Sequence, residues 1–310
     1  MNKIRVFEAF AGYGGASFGL KKAKIPFEVV GYSEIDKFAI KCYEQNHGNI
    51  NNYGDIRKIN PYDLPDYDLF TGGFPCQPFS IAGNRKGELD PRGTLFYDII
   101  RINEVKKPKL MLLENVKGLV TKRFKPTFEK MLSELNRIGY DVFWKVLNSK
   151  DYGIPQNRER VWFVCFRKDL KTKNFEFPKT EPLKLRLKDV LENEVDKKYH
   201  LSEKAIKRVL ERGNGKLDDL NGVAKTVTAK NNYKGGTHAN IIQLNKPMQP
   251  SIIRKLTPKE CFRLMGFLND EINLEGLSDT QKYKLAGNGW DINLVSKIFT
   301  QMYKVVRTTK

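Results

Sequence analysis

An α/β fold is predicted for this chain: a mostly parallel sheet with helices on both faces, joined by a smaller irregular domain. Short apolar runs alternate with helical-looking stretches through the first 166 residues, the pattern of parallel strands linked by crossover helices. Polar residues stand where several of those runs end, which is where open α/β sheets bind ligands. Beyond about residue 170 the texture changes to prolines at 178 and 182, dense lysine and the polar, Gly-rich stretch KTVTAKNNYKGGTHANII at 225–242. No internal repeat links the two textures, so the second reads as a separate, smaller domain.

Taken in order, residues 4–10 (IRVFEAF) predict a first strand, and AGYGGASFGL opens a helix directly after it. VVGYSEID predicts a second strand ending at Glu34 and Asp36. YDLFTGGFP predicts a strand running into a loop at Cys76, PKLMLLENV one that ends at Glu114 and Asn115, and RVWFVCF one at 160–166. The stretches 256–267 and 284–306 return to amphipathic helical spacing and are expected to pack back on the first domain. The expected boundaries are 1–170, 171–252 and 253–310.

With 310 residues the chain can bury its own core, and no obligate protein partner is expected; a monomer suffices. Lys and Arg number 55 against 36 acidic residues, a net charge of +19. Such a surface favours a polyanion, nucleic acid first, through phosphate neutralisation and counterion release, although a generally basic proteome accounts for charge alone equally well. Cys42, Cys76, Cys165 and Cys261 are too far apart in sequence for a zinc knuckle or a CxxC redox pair. A reduced, intracellular protein without a metal is expected. The N-terminus MNKIRVFEAFAGYGG has no long apolar core, and no apolar run approaches the roughly 18 to 20 residues of a membrane span. A soluble, cytoplasmic, nucleoid-associated protein without a membrane partner is expected.

Four local patterns carry chemistry. In FEAFAGYGGASFG, Gly12, Gly14 and Gly15 permit a tight strand-to-helix turn and close backbone approach to a ligand, though an ordinary helix start has the same look. Ser17 replaces the third glycine of a dinucleotide fingerprint, and Glu34 follows about 20 residues later, so a ribose-bearing, adenosine-type cofactor fits better than a free phosphate. GGFPCQPFS places Cys76 between prolines in a stiff loop at a strand end, exposed as a nucleophile must be, whereas an inert loop cysteine is the plain alternative. Glu114 ends an apolar strand, where burial favours a carboxyl that donates or shares a proton, unless it simply faces solvent. Arg158 and Arg160 in PQNRERVWF offer guanidinium groups suited to a carboxylate or phosphate, or to an ion-pair network with Glu159.

Together these residues resemble the bacterial and phage DNA cytosine-5 methyltransferase family over nearly the whole chain, in the family's order. The segment around Phe10 and Gly12 is similar to its cofactor loop and GFPCQPFS to its nucleophile loop; RGTLF at 92–96, ENVKG at 114–118, QNRER at 156–160, LTPKECFRLMGF and AGN at 286–288 match later motifs. The resemblance implies a Rossmann-like fold that uses S-adenosylmethionine, yields S-adenosylhomocysteine and acts on double-stranded DNA. It implies that Cys76 adds to C6 of a flipped-out cytosine, that Glu114 holds N3, that Arg160 helps position the ring and orient the carboxylate, and that Arg158 belongs to the same catalytic set. Cofactor contacts carry over to Phe10, Gly12, Tyr13, Gly14, Glu34, Ile35, Asp55, Ile56, Pro75, Leu95 and Asn288. DNA contacts fall on Gln77, Ser80 and Arg92, in the loop SIAGNRKGELDPR expected to close over the duplex, and on Lys225, Thr226, Thr228, Lys230 and Lys234. Residues 171–252 correspond to a target recognition domain, of which KTVTAKNNYKGG alone resembles a family segment. One departure is plain: the family's Gly-Asn-Ser and small aliphatic residue become Gly287, Asn288, Gly289 and Trp290. Three other readings stay open here: an RNA target, a catalytically silent DNA-binding relative, and a nicotinamide oxidoreductase. The size of the recognition segment argues against the first, the intact catalytic set against the second, and the cysteine loop and basic insert against the third.

Overall fold

The computed structural model describes residues 3–75, 95–172, 174–211, 217–229, 240–244 and 252–308. They cluster into two compact units: 1–147, 159–179 and 295–310 form unit 1, and 148–158 with 180–294 form unit 2.

Unit 1 is built on β1 (Ile4–Ala9), α1 (Gly15–Lys22), β2 (Phe27–Ser33), α2 (Lys37–His47), β3 (Leu69–Gly73), α3 (Leu95–Lys106), β4 (Leu110–Val116), α4 (Lys125–Arg137), β5 (Tyr140–Asn148) and β6 (Glu159–Arg167). The strands form one six-stranded sheet in the order β2-β1-β3-β4-β6-β5. β2, β1, β3 and β4 run parallel, and β6 lies antiparallel to β4. This is the mostly parallel α/β sheet that the sequence predicts. β4 is buried through its first six residues because a central parallel strand is covered on both faces, which explains its unbroken apolar run. Phe7, Phe70, Met111, Leu113 and Phe163 lead the main core.

Two differences from expectation have local causes. β5 carries no strong apolar run: as an edge strand it leaves Lys145 and Trp144 exposed, so its alternation is diluted. The second strand stops at Ser33, before Glu34, because Asp36 turns the chain by capping α2, accepting from the N–H groups of Phe38 and Ala39.

Unit 2 holds α5 (Glu203–Glu211), the antiparallel pair β7 (Ile241–Leu244) and β8 (Ile252–Lys255), α6 (Pro258–Arg263) and α7 (Asp279–Asn288). α8 (Ile292–Thr308) completes the chain, and its residues from Val295 onward belong to unit 1. The helical spacing at 284–306 is thus two helices, interrupted where Gly289 ends α7 and Asp291 caps the next, accepting from the N–H groups of Asn293 and Leu294. Thr257 with Glu260 and Ser278 with Gln281 form reciprocal caps at the starts of α6 and α7. Glu260 also forms a buried fork with Arg254, at 2.7 and 2.8 Å. No helix among the described residues is long and apolar enough to cross a membrane.

Candidate active site

At the C-terminal edge of the unit 1 sheet, the turn after β1 bends through left-handed backbone at Phe10 (φ 53°), Gly12 (φ 58°) and Gly14 (φ 82°). Gly14 must be glycine for a second reason. A Cβ there would lie 2.1 Å from His47 Nε2, whose N–H donates to the Tyr13 carbonyl at 2.9 Å. Burial lowers the His47 pKa, which favours the neutral ring. Below the turn, Glu8 is fully buried and accepts from Ser17 Oγ and, at 3.1 Å, from Tyr43 Oη. Desolvation pushes the Glu8 carboxyl up to about 7.

Glu34 closes the same turn from the other strand. Its Oε2 accepts from Gly12 N–H at 2.9 Å, and its Oε1 accepts from the N–H groups of Ile35 and Asp36. Asn52 fixes its backbone on both sides, accepting from Glu34 N–H and donating to the Glu34 carbonyl, each at 3.1 Å. Ile35, 68% exposed, stands beside it as an uncovered apolar surface. A pre-oriented carboxylate with an open aliphatic neighbour, next to a turn with glycine at positions 12 and 14, fits an adenosine-type cofactor. Asp55 is engaged by Arg57, at 2.6 Å, which holds its carboxyl below the usual range. Ile56 is buried in the main core. Leu95 packs on that core at the start of α3, and Pro75 is exposed at the end of the described β3 loop.

Glu114 lies at the edge of burial, 8% exposed, at the C-terminal end of β4. Arg160 Nε sits 2.9 Å from its Oε1, brought there because β4 and β6 pair antiparallel with Val116 opposite Arg160. Gly73 pairs with Glu114 across β3 and β4, and Asn115 Nδ2 donates to the Phe74 carbonyl at 3.1 Å. The carboxylate and guanidinium therefore stand beside the backbone that leads to Cys76. Cys76, Gln77, Ser80, Arg92, Lys230 and Lys234 lie outside the described residues.

In unit 2 the arrangement is of another kind. Arg158, two residues before Arg160, is 3% exposed and donates to the carbonyls of Val227, Gly287 and Gly289 at 3.0, 3.1 and 2.8 Å. The two arginines are not one pair aimed at one group, because β6 begins only at Glu159 and Arg158 precedes its alternation. Thr226 Oγ1 donates to the Asn157 carbonyl at 2.6 Å, and Val227 N–H donates to Gln156 Oε1 at 2.8 Å. Thr228 Oγ1 is buried without a hydrogen-bond partner among the described residues. Asn288 is exposed at the end of α7, and Lys225 Nζ lies 3.7 Å from Asp218.

Sequence reasoning missed Glu8, His47 and Asn52. Glu8 had a signal, a lone carboxylate inside an apolar strand; the other two owe their place to tertiary contacts with the turn.

Residues 4–304 match the C-5 cytosine-specific DNA methylase family. Among similar proteins are Type II methyltransferase M1.ScrFI of Lactococcus lactis subsp. cremoris, 39% identical over 99% of this chain and 80% of that protein, and Type II methyltransferase M.HhaI of Haemophilus parahaemolyticus, 37% identical over 95% and 93%. In fold the chain is similar to the crystal structure of S. pombe Dnmt2 methyltransferase, with a TM-score of 0.81 over 97% of this chain and 99% of that one at 24% identity.

Proposed function

This chain belongs to the C-5 cytosine-specific DNA methylase family, and from that premise we propose that it methylates C5 of a flipped-out cytosine in a specific duplex sequence, within restriction-modification or DNA protection. Its Type II relatives support DNA as the substrate, and the net charge of +19 agrees with a polyanionic partner. The observation that carries the reading is the Glu114–Arg160 pair beside the backbone leading to Cys76.

S-adenosylmethionine supplies an electrophilic methyl group on a sulfonium. The chain's residues do the rest. The Cys76 thiolate adds to C6 of cytosine, which divides a hard substitution into easier steps. Glu114, oriented by Arg160, holds N3 and supplies or shares a proton there as electron density builds in the ring. C5 then takes the methyl group, a base removes the C5 proton, and the Cys76–C6 bond breaks to restore the aromatic ring. The reacting atoms are stacked inside a duplex, so the nucleotide must first leave the helix. Glu34 and Ile35 would hold the cofactor's ribose and base, and the Phe10–Gly14 backbone would approach it closely; Asn288 is assigned a further polar contact. Residues 171–252 are proposed to choose the target sequence, with Lys225, Thr226, Thr228, Lys230 and Lys234 nearest the DNA.

Bisulfite sequencing of genomic DNA from cells expressing the gene tests this directly. The expected result is protected cytosines confined to one sequence context; uniform conversion would overturn the reading.

A further inference from the structure

We propose that Arg158 is a positioning residue that sets the cofactor-side turn 287–289 and the recognition-side segment 227–229 in one register, without touching either ligand. The inference rests on the proposed roles of Asn288 and Thr228.

One guanidinium reaches both segments: Nη1 donates to the Val227 carbonyl, while Nη2 donates to the carbonyls of Gly287 and Gly289. The group is 3% exposed, so these carbonyls replace water as its partners. A planar fork donates in fixed directions, and three carbonyls on it hold two loops at a set spacing that a flexible lysine cannot reproduce. The three acceptors bracket the exposed Asn288 and immediately precede Thr228, whose buried hydroxyl has no partner among the described residues.

Gly287 shows how closely the two segments meet. A Cβ at this position would lie 2.0 Å from the Ala229 nitrogen and 2.2 Å from the Thr228 carbonyl carbon. Both are backbone atoms, so no side-chain rotation relieves the clash. Gln156 zips the segment from its other flank, accepting from Val227 N–H and donating to the Leu264 carbonyl at 2.5 Å. The result is a junction with no regular secondary structure in 227–229, in which a buried side chain does the work of a strand partner.

The test uses two variants that attack the junction from opposite sides. Arg158→Lys removes the fork, and Gly287→Ala drives the backbones apart. S-adenosylhomocysteine affinity is measured by calorimetry without DNA, duplex affinity is measured without cofactor, and thermal unfolding confirms folding at the assay temperature. Each variant is expected to weaken both affinities about 10-fold or more, the scale of losing one to two hydrogen bonds to a charged group. Turnover at saturating concentrations of both ligands should fall far less than kcat/KM. Arg158→Gln, which keeps a shorter planar amide, should recover less than Arg158→Lys if charge dominates and more if planarity does; the proposal requires more. Folded variants that lose affinity for only one ligand, or for neither, would overturn it. Failure of the unaltered chain to bind S-adenosylhomocysteine would instead overturn the proposed function, and the assignment of the junction with it.

Discussion

The two units hold polar groups in place by different means. In unit 1, Glu34 and Glu114 sit at strand ends whose position is set by the sheet, and their carboxylates are aimed by neighbouring N–H groups or by Arg160. In unit 2, side chains hold the backbone: Arg158 and Gln156 bond to main-chain groups, Arg263 donates to the carbonyls of Val190 and Leu191, and the Arg254–Glu260 fork is nearly sealed from solvent. A regular sheet satisfies its own backbone and leaves side chains for chemistry. An irregular domain must use side chains to satisfy its backbone.

The largest effects should come from the groups that unit 1 leaves for chemistry. Cys76→Ser is expected to abolish methyl transfer, while Cys42→Ser, Cys165→Ala and Cys261→Ser retain much of it. These three are buried, and burial pushes the Cys42 thiol up to about 12 and Cys165 higher still, which leaves little thiolate. Glu114→Gln should lower kcat by about 10²-fold or more, the scale of removing a positioned acid-base group, with the thermal midpoint little changed. Initial rates of tritiated methyl incorporation check both; turnover by the Cys76 variant would erase the contrast between the units.

In unit 2 the expected loss is of stability. Arg254→Ala leaves the buried Glu260 carboxylate with its backbone donors but without its cationic partner, which costs about 3–5 kcal/mol. Urea unfolding followed at Trp290, buried in this unit, should register it before the signals of Trp144 and Trp162 in unit 1 change. Simultaneous transitions would show that the units share one cooperative structure.

Glu8 provides a smaller effect with a definite sign. Its carboxyl is raised from 4.5 to about 7 in the folded chain, so between those values the folded state holds a proton that the unfolded state has lost. The stability linked to that proton is fully present below about 4.5 and is lost as pH rises through about 7, on the order of 3 kcal/mol in all. Glu8→Gln should flatten this part of the profile and leave the variant relatively more stable above neutrality. Denaturant midpoints from pH 4.5 to 8 measure the difference; parallel profiles would deny Glu8 its proton.

Asp36→Ala should have the smallest effect, about 1 kcal/mol, through the lost cap of α2. A larger fall in cofactor affinity than in stability would show that the cap also steadies Glu34, whose Oε1 accepts from Asp36 N–H.

The same contrast governs what could be read beforehand. β1, β3, β4 and β6 were legible because buried strands are apolar runs, and Glu34 and Glu114 were legible because each ends such a run in a carboxylate. β5 was not, because its edge position leaves Trp144 and Lys145 exposed. Nor was the separation of Arg158 from Arg160, since nothing in QNRER marks where β6 begins. The junction at 227–229 and 287–289 joins segments about 60 residues apart through backbone carbonyls, which have no side-chain signature in the sequence.

The central claim is that Cys76 attacks C6 of a flipped cytosine while Glu114 and Arg160 hold the ring. Its most direct test is covalent trapping: the purified chain is incubated with S-adenosylmethionine and a duplex in which 5-fluorocytosine replaces cytosine. Fluorine at C5 cannot leave as a proton does, so the last step stalls with the adduct intact. The account predicts a denaturant-resistant protein–DNA complex, formed only with cofactor, whose DNA-linked peptide contains Cys76. No complex, or linkage through another cysteine, would contradict it.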